Sequence, residues 1–152
     1  MAITIQDTYL TDYATGFPGM LADGEVTNRT TGEVEDAAGL PFGRAAFKGA
    51  NRKGVTGTPG TKFKGVTIAD AGVINGIGEL VDGYRQRASA SLCDEGNIWV
   101  AAGSATTVDA PAFVTAAGAI TATATGNTAI PATFLDAATA AGQPVRIRIV
   151  RQ

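Results

Sequence analysis

The feature that most constrains this chain is how often it is interrupted. Its 152 residues include 20 Gly and 6 Pro, spread along the whole length. Glycine loses more backbone freedom than any other residue on entering a helix. Proline removes a helical hydrogen bond and clashes with the preceding turn. No segment sustains an apolar period of about 3.6 residues over three turns. Between the interruptions lie short runs of Thr, Val and Ile, with turn residues recurring about every 8–12 positions. This pattern implies a mainly β chain, folded as a sandwich or barrel.

Residues 1–24 are expected to form an extended N-terminal arm, and residues 25–152 a single β domain. In the arm, Tyr9, Leu10, Tyr13, Phe17, Pro18, Met20 and Leu21 supply large apolar groups. Gly16, Pro18 and Gly19 exclude a continuous helix. Such an arm buries little against itself, so it lies along its own domain or along a neighbour.

Residues 25–37 are polar. Thr30-Thr31-Gly32 predicts a turn or flexible loop, and the acids from Glu33 to Asp36 a solvated face. LPFGRAAF at 40–47 is a short apolar run, and 49–60 a loop rich in Gly and Thr. KFKGVTIAD at 62–70 suits a short strand. Residues 87–93 and NIWVAAG predict a hairpin about Asp94-Glu95-Gly96. Within that apolar run Trp99 reads as a core residue.

APAFVTAAGAITATATG at 110–126 reads as strand, turn at Gly118, strand, and IPATFLD as another short run. Asp136 to Gly142 predicts one or two helical turns, with Asp136 as N-cap and Gly142 as the stop. In the terminal PVRIRIVRQ, Val145, Ile147 and Ile149 face one way and Arg146, Arg148 and Val150 the other, as in a half-buried strand.

The composition removes much of the catalytic inventory. With no histidine and one cysteine, neither a Ser–His nor a Cys–His relay can be assembled, nor a His-based metal site. The Glu33–Asp36 run lacks the spacing of a calcium loop. The glycines of 49–60 invite a phosphate-loop reading, but the spacing G-x-x-x-x-G-K-[ST] is absent. No catalytic, cofactor or metal residues are expected, and no enzyme activity.

Lone Cys93 fits a chain folding in a reducing cytoplasm, as a small buried hydrophobe. No leader-like segment is seen, and no apolar run approaches the 18 or so residues of a membrane span. Net charge is −2. Arg44, Lys48, Arg52, Lys53, Lys62 and Lys64 make a glycine-interrupted basic stretch without stacking aromatics. It reads as solvated loop charge or as a contact for an acidic protein surface, not as direct nucleic-acid binding.

Taken in order, GFPGMLAD at 16–23, LPFGRAAFKG at 40–49, KFKGVTIAD at 62–70, GNIWVAAG at 96–103 and GNTAIPATFLDAATAAGQPVRIRI at 126–149 follow the layout of a known family. The chain resembles the cement, or decoration, proteins of tailed-bacteriophage capsids. That resemblance implies a compact jelly-roll-like β domain bound to the outer surface of a capsid and stabilising the mature shell. The implied partners are the major capsid protein and further copies of the chain, as a homo-oligomer: a dimer first, a trimer second. The implied location is the virion, after synthesis in the bacterial cytoplasm. No cofactor and no membrane are implied.

Tyr9, Leu10, Tyr13, Phe17, Pro18 and Met20 of the arm are the candidate contact residues, with Arg146 and Arg148 of the terminal strand as a second surface. Three other readings stand beside this one: a tail- or fibre-associated structural protein, a carbohydrate-binding module, and a hydrolase using paired carboxylates. Fibres usually show repeats or coiled coils, absent here. The sequence identifies no carboxylate pair across a cleft.

Overall fold

A computed structural model of the chain describes residues 15–72 and 82–151. Among these residues there is no helix, and eleven strands form: β1 (Asn28–Val34), β2 (Leu40–Pro41), β3 (Ala45–Lys48), β4 (Gly54–Thr56), β5 (Phe63–Thr67), β6 (Gly83–Tyr84), β7 (Ser89–Ala101), β8 (Pro111–Val114), β9 (Ile120–Thr121), β10 (Thr128–Phe134) and β11 (Pro144–Ile149).

β7 organises the rest. Its first half carries a partner on each edge: Leu92 pairs with Thr30 of β1 and with Thr67 of β5. Its second half does the same, with Ile98 paired to Ile147 of β11 and to Leu21. β1 also runs parallel to β4, β4 pairs β3, β3 pairs β5, and β5 returns to β7. Five strands therefore close into a small barrel. Beyond β7 the sheet continues open through β11, β10, β8 and β9, while β2 and β6 pair separately. The mainly β class and the barrel expected of the sequence are both present.

Alternation along the barrel strands serves two cores. Val34, Ala46, Val55, Ala90 and Leu92 pack together with Leu40 and Tyr84. Their neighbours Ala45, Phe47, Val66 and Cys93 face the other way. They meet Ile98, Val100, Val145, Ile147, Ile149 and Phe134 of the open sheet. Each large side chain so buried contributes about 1.5–3 kcal/mol. The Tyr84 hydroxyl donates to the Ile68 carbonyl at 2.7 Å, so its polar end is satisfied inside the core. Cys93 is fully buried, and burial pushes its thiol up to about 11.

Several local expectations are corrected. Asp94-Glu95-Gly96 makes no hairpin turn, because β7 continues through it. Asp94 is the extra residue of a bulge, where pairing jumps from Cys93–Arg29 to Glu95–Asn28. Gly96, at φ 120°, kinks the strand where it exchanges β5 for β11. Thr30-Thr31-Gly32 lies inside β1, and Gly32 is flattened against Val55.

The 49–60 loop contains β4, which pairs locally with β3 and, in parallel, with the more distant β1. Residues 136–142 form bends and turns instead of helical ones. Ala138 bridges to Thr106 there, which draws the segment out as an edge.

The described part of the arm lies along its own domain. Trp99 N–H donates to the Met20 carbonyl at 2.8 Å, Gly19 N–H to the Trp99 carbonyl at 2.8 Å, and Ala22 N–H to the Asn97 carbonyl at 2.9 Å.

The tightness of the β5–β7 contact is testable. Gly65 stands at φ 133°, and a Cβ there would lie 2.5 Å from the Cys93 carbonyl oxygen. Gly65→Ala should lower the unfolding free energy by about 3 kcal/mol or more, since backbone strain and overpacking add. Gly126 also has positive φ but nothing within 4 Å of its would-be Cβ. Gly126→Ala should cost only about 1 kcal/mol, from strain alone. Urea unfolding measures both; equal costs would contradict the close approach at Gly65.

Candidate contact surfaces

Two of the sequence-predicted contact residues meet at an apolar cleft. The arm reaches the domain at Phe17 and Pro18, where Phe42, Pro41, Arg44 and Ala69 form the facing wall of a cleft of about 620 Å³. The arm is pinned there by the Ala69 N–H, which donates to the Gly19 carbonyl at 2.8 Å. Gly43 packs against Pro18 so closely that a Cβ would fall 2.7 Å from the proline Cβ. Phe42 is held edge-to-face on Tyr84 at 5.2 Å and 83°. Phe17 remains 57% exposed and Met20 40%. Tyr9, Leu10 and Tyr13 lie outside the described residues.

The terminal strand separates its two arginines. The Arg146 guanidinium makes a forked pair with Asp136, Nε to Oδ2 at 2.9 Å and Nη2 to Oδ1 at 2.7 Å. Asp136 also accepts the Arg146 backbone N–H at 2.9 Å. The same guanidinium lies 5.8 Å from the centre of the Trp99 ring, and Gly16 of the arm presses on that indole. Trp99 is therefore half-buried beneath Arg146 and the arm, where the sequence suggested core.

Arg146 ties strand, loop and arm together within one subunit. Arg148 differs: it pairs with Glu25 at 3.3 Å, and both side chains are about half exposed. Exposed pairs of this kind contribute little and are readily exchanged.

Of the acids read as a solvated face, Glu33 is exposed, but Glu35 and Asp36 have local work. Glu35 accepts the backbone N–H groups of Ala50 at 2.9 Å and Asn51 at 2.7 Å. These bonds hold its carboxyl below the usual range. A Cβ on Gly49 or Gly54 would collide with that carboxylate. The loop's amides thus cradle the chain's own acid in the manner of a bound anion. Asp36 likewise takes the Gly57 N–H and the Thr56 hydroxyl, each at 2.6 Å. Among the described residues no three His, Cys, Asp or Glu side chains gather as a metal site.

Sequence reasoning missed Phe42 as a cleft wall and Asp136 as the partner of Arg146. Phe42 was visible only as part of an apolar run. Asp136 was recognised as an acceptor, but of the wrong donor.

The Asp136–Arg146 pair makes a pH-dependent prediction. The Arg146 guanidinium holds the Asp136 carboxyl below its usual value of 3.8. A lowered folded-state pKa adds stability that is present above the ordinary pKa and lost as pH falls through the folded one. With Arg146 39% exposed, water screens the pair. Asp136→Asn should therefore cost about 1–2 kcal/mol at neutral pH. The difference from the parent should shrink as pH falls below about 4. Unfolding curves across pH check this, and a constant difference down to strong acid would refute it.

Comparison with known proteins follows the same direction. A family model described as structural cement protein (E217 gp24/Pam3 gp6) matches residues 5–150. Among solved structures, a chain in the capsid of Myoviridae phage XM1 shares the fold at 17% identity and a TM-score of 0.66, covering 97% of this chain and 98% of its own. The head fibre gp8.5 N base of bacteriophage phi29 aligns at 15% identity and a TM-score of 0.47, over 84% of this chain and 97% of its own. No curated protein sequence matches.

Proposed function

The chain belongs to the phage structural cement protein family, and from that premise we propose that it binds the outer surface of an assembled capsid across boundaries between major capsid protein subunits. Its role there is structural and non-catalytic: it stabilises the mature shell. The observation that carries this reading is exposed Phe17 at an apolar cleft of the β domain, with exposed Met20 on the same arm. Aromatic and Met side chains are enriched at interface cores, and large exposed ones mark contact sites. Arg148, held only by an exposed pair, adds a charge that a partner's acid could take over.

Stabilisation follows from mass action. A protein that binds the closed shell and not its separated subunits adds its binding free energy to the shell. Acting as a homo-oligomer, a dimer or a trimer, it touches several subunits at once. Each later contact then gains effective concentration, and avidity rises by roughly 10²–10⁴. No single contact has to be tight.

The side chains of Phe17 and Met20 can be removed without disturbing the arm, since Met20 pairs with β7 through its backbone. Phe17→Ser with Met20→Ser should leave domain stability within about 0.5 kcal/mol. It should lower occupancy on cognate capsids by about tenfold or more in cosedimentation. The capsids' added heat resistance should fall in parallel. Unchanged occupancy and unchanged heat resistance would overturn the assignment of this surface.

A further inference from the structure

The charges of this acidic chain are not evenly spread. A second cleft, of about 560 Å³, opens between β1, β4, β5 and β7. Lys48, Arg52, Lys53, Lys62, Lys64 and Arg151 line it, against Asp94 as the one acid in the lining. Half of the chain's 12 Lys and Arg thus converge on one concavity of a protein with net charge −2. Lys48 is occupied by the carbonyls of Gly49 and Asn51. Among the described residues the other five cations make no ion pair; the pairs that form, Arg146–Asp136 and Arg148–Glu25, lie elsewhere. Like charges gathered with a single acid among them repel one another and oppose folding, and a concave wall focuses their field outward.

The rest of the lining selects the kind of anion. Thr30, Thr31 and Thr61 add hydroxyls, and half-buried Pro131 and exposed Val150 add apolar surface. The one aromatic, Phe63, is half-buried and turned edge-on to Phe47 at 5.9 Å and 72°. A single ring gives successive bases no platform, and base stacking is what single-stranded nucleic acid requires of such a groove. Many cations beside a small apolar surface suit a chain that carries carboxylates with aliphatic side chains among them.

We propose that this cleft is a docking site for an acidic, extended polypeptide segment of another protein. On the capsid reading above, from which the source of the segment is inferred, that protein is the shell. The cleft's preference for acidic polypeptide is independent of that reading. The apolar surface at Phe17 and this basic cleft then make two chemically distinct contacts from one domain.

The test is fluorescence anisotropy on the whole protein with a labelled poly-glutamate peptide, at about 20 mM and about 200 mM salt. A thymidine oligonucleotide of equal charge runs alongside. Saturable peptide binding is expected, weakened by salt and tighter than that of the oligonucleotide. Lys62→Glu with Lys64→Glu, both exposed positions, should weaken it by at least about tenfold. The milder Lys62→Gln with Lys64→Gln should give a smaller loss. Arg87→Glu, outside the lining, should leave it unchanged.

Absence of saturable peptide binding, equal or tighter oligonucleotide binding, or indifference to both Lys62/Lys64 variants overturns the proposal. Capsid cosedimentation of the parent protein separates the two readings. Capsid binding without peptide binding removes the cleft and leaves the cement role. Peptide binding without capsid binding removes the cement role and supports the cleft.

Discussion

The double-edged pairing of β7 is the constraint on which the remaining structure depends. A strand with partners on both edges satisfies all its backbone groups within the sheet. β7 is flanked on both edges twice, by β1 and β5 at Leu92 and Cys93 and by β11 and the Leu21 segment at Ile98. The barrel and the open sheet are therefore one hydrogen-bonded body with a shared strand. Leu92 and Cys93, adjacent on that strand, point into different cores. The bulge at Asp94 and the kink at Gly96 allow the exchange of partners without a break in the chain.

What was legible in the sequence was what local chemistry decides. The alternation of Val145, Ile147 and Ile149 against Arg146 and Arg148 is a property of one strand, and it reappears in the burial pattern. Gly118 turns β8 into β9 because a positive φ is needed there. Asp94-Glu95-Gly96 has the residue types of a turn, but its conformation is set by β1, β5 and β11, which lie far away in sequence. The glycines at 49 and 54 looked like features of a Gly- and Thr-rich loop. Their reason is Glu35, whose carboxylate fills the space a side chain would need.

The candidate surfaces divide along the same line. Phe17, Pro18 and Met20 were recognisable as large apolar groups in a segment unable to bury them. The convergence of Phe17 and Pro18 with Phe42 depends on the fold. Arg146 and Arg148 looked equivalent from their spacing, and tertiary contacts separate them. One is clamped between Asp136 and Trp99, while the other stays available in an exposed pair. The basic stretch was visible as composition, but only the closing of the barrel makes it a cleft.

A single hydrogen-bonded domain presenting an apolar surface and a basic cleft is suited to bridging neighbouring subunits, and bridging is the central claim. An image reconstruction of the assembled particle tests it most directly. The account predicts density for this domain on the outer surface, lying over boundaries between capsid subunits, with the Phe17 side turned toward the shell. Density confined to the tail, inside the shell, or centred on single capsid subunits with Phe17 turned to solvent would contradict it.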